Sequence, residues 1–404
     1  MAPDVEVLKF PAWDTVPYDR VSPNAGIVAE RVAALGALTL NPETCPKRIV
    51  IASIGAVIQK LPPSKIFRNS MREIRVGGKL DFNDFVHYAV VNGYNRVEQV
   101  MEPGEYAVRG DILDIFPVGT PEPLRIDLFD DEVEKIRTFD AFSQRTTGEL
   151  KSYGFQVVGE VVLDNNTVKN FRAAYREAFG AAAQSDELYE AISASRKYMG
   201  MENWLPFFYE EPLPSLFDYL PAAHVVLDRS VDDALLAKED GIMDYYLARQ
   251  EALGIKSASE VDTYRPVKPE LMFLTAREFS AKVKARRALR FTSMSFPGGE
   301  GVINAGVIPG RSFSHAKNVN AAQVYAELKD YLSENAKLAR IVCCYSAGSR
   351  ERLFTLMSEY GIKDMGFADD WDDALKKAAH KKIALLVMNL SLIHISEPTR
   401  LRRI

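Results

Sequence analysis

The sequence predicts a multidomain α/β protein whose first domain is interrupted by a β-rich insertion. Three observations point there. Residues 22–63 read as helix, strand and helix in succession. Residues 72–150 change to short alternating strands with one helix. Residues 322–389 alternate helix and strand again. At 404 residues the chain exceeds one ordinary domain, and roughly two to four domains suit that length. Hydrophobic residues make up 47% and charged residues 26%, the composition of a globular chain able to bury cores.

In "VSPNAGIVAERVAALGAL", Ser22 is placed to cap a helix and Pro23 suits its first turn. Ile27, Val28, Val32 and Leu35 make one face, and Gly36 marks the stop. "RIVIASIGAVIQKLPP" gives a buried strand over 49–52 and a short helix ended by Pro62 and Pro63. "FNDFVHYAVVNGY" reads as a helix stopped near Gly93, with three strands after it. In "GEYAVRGDILDIFPV", Tyr106, Val108 and Ile112 point one way, and Glu105, Arg109 and Asp111 the other. The phase slips near Ile112 and Leu113, which predicts a bulge or a strand end buried on both sides. The partner strand sets Leu124, Ile126 and Leu128 against Arg125, Asp127 and Phe129, and "DDE" at 130–132 turns into the third strand.

Val168, Phe171, Tyr175 and Phe179 recur at helical spacing within 167–192. The proline-punctuated "NWLPFFYEEPLPSLFDYLP" feeds a short buried strand in "HVVLDRS", and helices follow over 231–256 and 277–289. "PGGEGVINAGVIPGRSFSHA" at 297–316 is glycine-rich and marks a domain boundary. "QVYAELKDYLSENA", "RIVCCYS", "SRERLFTLMSEYG", "DDWDDALKKAAH" and "KIALLVMNL" then build a small α/β layer domain. The last fifteen residues, "LSLIHISEPTRLRRI" at 390–404, read as a vector-derived tail.

Several function classes are excluded by what the residues lack. No apolar run reaches the roughly 18 residues of a membrane span and no signal segment opens the chain, so a cytoplasmic, membrane-free setting is expected. Cys45, Cys343 and Cys344 supply neither a disulfide framework nor metal spacing. A net charge of −5 gives the whole molecule no attraction for DNA. G-x-x-x-x-G-K-[ST], G-x-S-x-G and H-E-x-x-H do not occur, and His87, His224, His315, His380 and His394 are scattered. The carboxylates of "DDE" and of "FADDWDDAL" at 367–375 read as a solvated turn and a helix start. The basic "AKVKARRALR" at 281–290 spreads charge around a helix as a solvated face, with nucleic-acid contact as the second reading. No catalytic, cofactor-binding or metal-binding residue is expected.

"EYAVRGDILDIFP" and "LRIDLFDDEVEKIRTFD" closely resemble the domain shared by the excision-repair protein UvrB and the transcription-repair coupling factors. "FPAWDTVPYDRVSPNAGIVAERVAAL" at 10–35, "SQRT" at 143–146 and "GMENWLPFFYEEPLPSLFDYLP" at 200–221 resemble the coupling factors, and the likeness spans roughly residues 8–389. It implies a degenerate helicase-like α/β domain of the UvrB domain 1 type, formed by 1–61 and 151–310. An inserted α+β UvrA-docking domain would occupy 62–150, and a truncated small α/β domain 316–389. It further implies an N-terminal portion whose first β-α segment is missing.

"YLPAAHVVLDRS" ends in Asp228 and Arg229 where UvrB carries an Asp-Glu pair serving ATP hydrolysis, and an arginine cannot replace that second carboxylate. The resemblance therefore implies a non-catalytic module with no cofactor of its own. Its parent would use ATP and magnesium in motor domains, move on double-stranded DNA and release stalled RNA polymerase. The partner implied for this piece is UvrA. The UvrB arginine just after Tyr-x corresponds to Arg96 and the one thirteen residues later to Arg109, while a third, two residues before the R-G, is Ala107 here. The candidate UvrA contacts are Arg96, Arg109, Asp111, Leu113, Asp127 and Phe129; Leu113 and Phe129 would serve as apolar anchors, though their strand positions read first as core.

The same row has a plainer reading, in which Arg109, Asp111, Arg125 and Asp127 pair across strands for about 0.2–1 kcal/mol each. Two rival functions stay open: an ATP-binding helicase fragment, and an intramolecular face that holds the parent inactive.

Overall fold

The computed structural model describes residues 5–39, 47–180, 186–254, 264–292, 297–299, 301–304, 313, 321–335, 338–380 and 382–388. Two units divide the chain, Met1–Thr292 and Ser293–Ile404.

In the first unit, β1 (Val5–Phe10) pairs in parallel with β2 (Lys47–Ala52), and α1 (Ala25–Leu38) joins them. The cap of α1 is Asn24, whose side chain accepts from the Gly26 amide. Ser22 is unavailable for that role, because its hydroxyl donates to Glu202 and accepts from the Gly200 amide. Gly36 is no stop. It lies buried inside the helix, where a Cβ would sit 1.9 Å from Gln156 Oε1 on the chain returning from the insertion. Strand β2 is half-buried on one face and open on the other: Ile49 and Ile51 are each more than half exposed. α2 (Ile54–Ile58) and α3 (Ser64–Asn69) follow, and Phe67 of α3 is fully buried.

Next come β3 (Arg72–Arg75) and α4 (Phe82–Val91), the latter capped by Asp81 through the Asp84 amide. A six-stranded sheet comes next: β4 (Asn95–Arg96), β5 (Glu105–Arg109), β6 (Ile112–Ile115), β7 (Leu124–Phe129), β8 (Glu132–Phe139) and β9 (Thr146–Leu150), neighbours in that order. β10 (Ser152–Phe155) returns antiparallel to β3. Pairing aligns Val108, Leu113, Ile126 and Ile136 on one face. They pack there with Phe85 and Phe155, whose rings meet edge to face at 5.1 Å. Burying these side chains against α4 is what stabilises the module.

One detail differs from the sequence reading, and one choice it left open is decided. Ile112 lies opposite Arg109 and Asp127, on the other face from Val108. Of the two readings offered for Ile112–Leu113, the strand end buried on both sides holds, since Leu113, Asp114 and Ile115 are all buried and the register there is continuous; register shifts fall between Asp127 and Leu128 and between Thr138 and Phe139. The apparent slip at Leu113 arises because Asp114, on the second face, is buried as well.

α5 (Asn165–Phe179), capped by Asp164, and α6 (Glu187–Ser193) replace the single helical span expected over 167–192. Phe171 and Tyr175 pack on the 3₁₀ stretch Met201–Phe208. α7 (Leu216–Tyr219) leads to β11 (Val225–Leu227), then to the long α8 (Val231–Gly254) and α9 (Pro269–Met272). α10 (Ala276–Lys284) ends early, and β12 (Ala288–Arg290) pairs in parallel with β11 where helix was expected to continue. Arg286 explains the change. Its guanidinium folds over the Phe217 ring and donates to the carbonyls of Lys282 and Phe217, turning the chain into the sheet. A cavity of about 310 Å³ lies between β2 and β11, lined by Val50, Ala52, Leu220, Val225 and Leu227.

The second unit is an α/β layer. β13 (Arg340–Cys344), β14 (Met365–Ala368) and β15 (Ile383–Val387) run parallel with β15 central, accompanied by α11 (Ala321–Glu334), α12 (Ala347–Glu359) and α13 (Trp371–Ala379). Ser346 and Asp370 cap α12 and α13. Cys45, the tail 390–404 and most of the glycine-rich 297–316 lie outside the described residues. No helix among the described residues is long and apolar enough to cross a membrane.

Candidate functional site

Strand pairing decides what the second face of the six-stranded sheet can offer. Because partners in register share a face, Ala107, Asp114, Arg125 and Arg137 form one row, and Arg109, Ile112, Asp127 and Lys135 the next. Arg125 grips Asp114 with two bonds, 2.7 Å from Nε to Oδ1 and 2.8 Å from Nη2 to Oδ2, and lies 4.6 Å from the Phe139 ring centre. The hydrogen bond to Asp114 raises the Arg125 pKa further. Arg137 Nη2 donates to both Asp127 oxygens, at 2.7 and 2.5 Å. Arg125 and Asp127 are therefore held inside the sheet by these bonds, with little left to present outward.

The other candidates differ in what they expose. Arg109 is exposed, and its Nη2 donates to the Glu98 carbonyl at 2.7 Å. Asp111 is exposed in the tip of the β5–β6 hairpin, where its carbonyl accepts from the Leu128 amide. Phe129 is 75% exposed at the end of β7. Arg96 is exposed and forms no salt bridge with any described residue. Leu113 is fully buried in the core of the module and has no surface to present, since its register puts it between Val108 and Ile126.

The fold thus gathers Arg109, Asp127 and Phe129 on one face, with Asp111 at its tip. Arg96 stands apart, because β4 pairs with β5 so that Arg96 lies beside the inward-facing Tyr106 at the sheet edge. Phe142, 88% exposed in the turn between β8 and β9, was not anticipated. The Asp140 carboxylate accepts from the Ser143 amide, and Gln144, at φ 58°, donates to the Ala141 carbonyl, so the turn that carries the ring is ordered. An aromatic residue inside "DAFSQ", a string of turn formers, was the available signal.

The burial contrast makes a prediction. Leu113→Ala lowers stability by about 2–5 kcal/mol, whereas Phe129→Ser stays within about 0.5 kcal/mol of the natural chain. Urea melts of both variants check it, and equal losses would contradict the placement of these two side chains.

Elsewhere the polar groups are occupied locally. Asp228 Oδ1 accepts from the Ser230 amide at 2.9 Å and the Ser230 hydroxyl at 2.6 Å, shaping the entry to α8. In the basic cluster, Lys282 binds Asp218 and Arg290 binds Asp232. With Arg286 on its two carbonyls, these cations tie the end of α10 to α7 and β12 to α8. Among the described residues no group of three His, Cys, Asp or Glu side chains could hold a metal ion.

Residues 73–156, from β3 through β10, match the family described as UvrB interaction domain. The transcription-repair-coupling factor of Haemophilus influenzae is 31% identical over 399 residues, covering 95% of this chain and 32% of that protein. The chain is a relative of the transcription-repair-coupling factors. That of Escherichia coli is 31% identical over 282 residues, 70% of this chain and 23% of that protein. That of Bacillus subtilis is 29% identical over 232 residues, 54% of this chain and 19% of that protein. The chain thus spans about a third of the length of the Haemophilus coupling factor, and less of the other two. Every candidate contact from Arg96 to Phe129 falls within the match to the UvrB interaction domain.

Proposed function

We propose that this chain is a non-catalytic adaptor module of transcription-coupled excision repair, and that its UvrB interaction domain docks UvrA. The observation that carries this reading is a division of labour on the sheet. Arg125, Asp127 and Arg137 are consumed by internal pairs, while Arg96, Arg109 and Phe129 remain at the surface. Exposed arginines and an exposed aromatic ring are the residue types that anchor protein interfaces. The parent would be an ATP-driven DNA translocase that releases stalled RNA polymerase, with ATP, magnesium, DNA and polymerase handled by its other parts. This module would act in the cytoplasm and hold no nucleotide itself. Supporting that, Asp228 is engaged by Ser230, and its neighbour Arg229 is cationic where magnesium chemistry needs a carboxylate.

Titration calorimetry of the intact chain with purified UvrA, and separately with a fluorescent ATP analogue, tests the reading. Saturable binding to UvrA alone supports it. Saturable binding of the analogue, with none to UvrA, would favour the nucleotide-binding rival.

A further inference from the structure

β4, the strand that carries Arg96, is two residues long and bridges only to β5, with Asn95 opposite Glu105 and Arg96 opposite Tyr106. So short an edge strand is at the low-stability end of a sheet and opens readily unless something else holds it. Here both of its flanks are tied from outside. On the leading side Lys197, from the turn after α6, reaches across 104 residues of sequence, and its ammonium donates to the Gly93 carbonyl at 2.7 Å. The same Nζ lies 3.2 Å from Asn95 Oδ1. On the trailing side Arg109 donates to the Glu98 carbonyl. Between these ties run the strand's own bonds, Asn95 amide to Gly104 carbonyl and Val97 amide to Tyr106 carbonyl.

Gly93 makes the first tie possible. It sits at φ 92°, where L side chains are strained, and this conformation presents its carbonyl to the lysine. Lys197 is an exposed residue whose ammonium lies against the Gly93 turn, and desolvation there lowers its pKa. That ammonium is anchored on two acceptors of the strand's approach rather than moving freely in water.

We propose that Lys197 is a positioning residue for UvrA docking. By bracing the Gly93–Asn95 approach from the body of the first unit, it presents Arg96 already ordered to the partner. The inference rests on the docking reading above and deepens it, since it names a residue outside the matched domain that sets the strength of that site. A pre-ordered arginine meets its partner without a further loss of conformational freedom, and that advantage goes when the brace is removed.

The test uses the intact chain, titrated with UvrA as natural protein, Lys197→Met, Lys197→Arg, Arg96→Ala and the double Lys197→Met/Arg96→Ala. Lys197→Met is expected to weaken binding roughly 5- to 20-fold, and Lys197→Arg, which keeps a donor for the Gly93 carbonyl, to restore most of it. In the Arg96→Ala background the same change costs no more than about 2-fold, because the brace acts through Arg96. Hydrogen exchange in the free protein should quicken at the Asn95 and Val97 amides in Lys197→Met, with the melting temperature nearly unchanged. Natural affinity in Lys197→Met, or a loss that is additive with Arg96→Ala, overturns the positioning role and leaves docking intact. Failure of the natural chain to bind UvrA overturns the docking reading, and this inference with it.

Discussion

Replacing Glu160 with alanine lowers the stability of the first unit by about 3–5 kcal/mol, the cost of stranding a buried charge. Glu160 is buried and accepts from Arg31 Nε at 2.6 Å and Nη2 at 3.1 Å, and from the Trp13 indole at 2.9 Å. Arg31 is fully buried, lies 4.4 Å from the Phe10 ring centre and gives its remaining Nη1 to the Pro11 carbonyl. Without the carboxylate, the guanidinium is left in an apolar pocket with one carbonyl for company, and the indole N–H loses its acceptor. The guanidinium, which has no exposed surface, cannot reach water without opening the packing around α1.

Glu160 follows shortly after β10 (Ser152–Phe155). The Tyr209 hydroxyl donates to the Glu160 carbonyl, so the same residue meets α1 and the segment behind the 3₁₀ stretch. Denaturant unfolding, resolved for the first unit, checks the figure, and a melting temperature lower by roughly 6 °C or more should accompany it. Joint replacement of Arg31 and Glu160 by methionine recovers most of the loss, because both desolvation costs go together. A loss under about 1 kcal/mol in Glu160→Ala would contradict the buried pair.

That pair also shows what the sequence could not disclose. Charged residues in a helical pattern read as surface, and nothing local in "AERVAAL" separates a buried Arg31 from an exposed Glu30. Gly36 was misread for a related reason: a glycine near a helix end signals a stop, and only the returning Gln156 reveals it as a point of close approach. The expected helix over 277–289 failed at Arg286, where bonds to Phe217 and Lys282 override helix propensity.

What was legible had strong periodicity. The alternation of Leu124, Ile126 and Leu128 against Arg125, Asp127 and Phe129 survives in the burial of β7, and two strands of the second unit lie where "RIVCCYS" and "KIALLVMNL" place them, whereas the four-residue β14 (Met365–Ala368) was too short to be read from the sequence. Periodicity told which face was polar. It could not tell that Arg125 and Asp127 are spent on Asp114 and Arg137 while Arg109 bonds only a backbone carbonyl, because those partners are chosen by register. Arg96 and Arg109 entered through a resemblance, and the structure adds that they stand at different places on the sheet.

The second large effect concerns those two arginines. Reversing charge at an interface hot spot costs on the order of 2–4 kcal/mol, roughly a 30- to 1000-fold loss of affinity. Both side chains are exposed, so Arg96→Glu with Arg109→Glu should leave the core untouched, although Arg109→Glu also releases the Glu98 carbonyl. The melting temperature is therefore the control that separates a damaged fold from a damaged surface. The decisive measurement is the affinity of the intact chain for UvrA with and without this pair of reversals, at one salt concentration. The account predicts saturable binding by the natural chain and a loss of at least 30-fold in the variant at an unchanged melting temperature. Equal affinity in the two proteins would contradict it and place the docking surface elsewhere on the module.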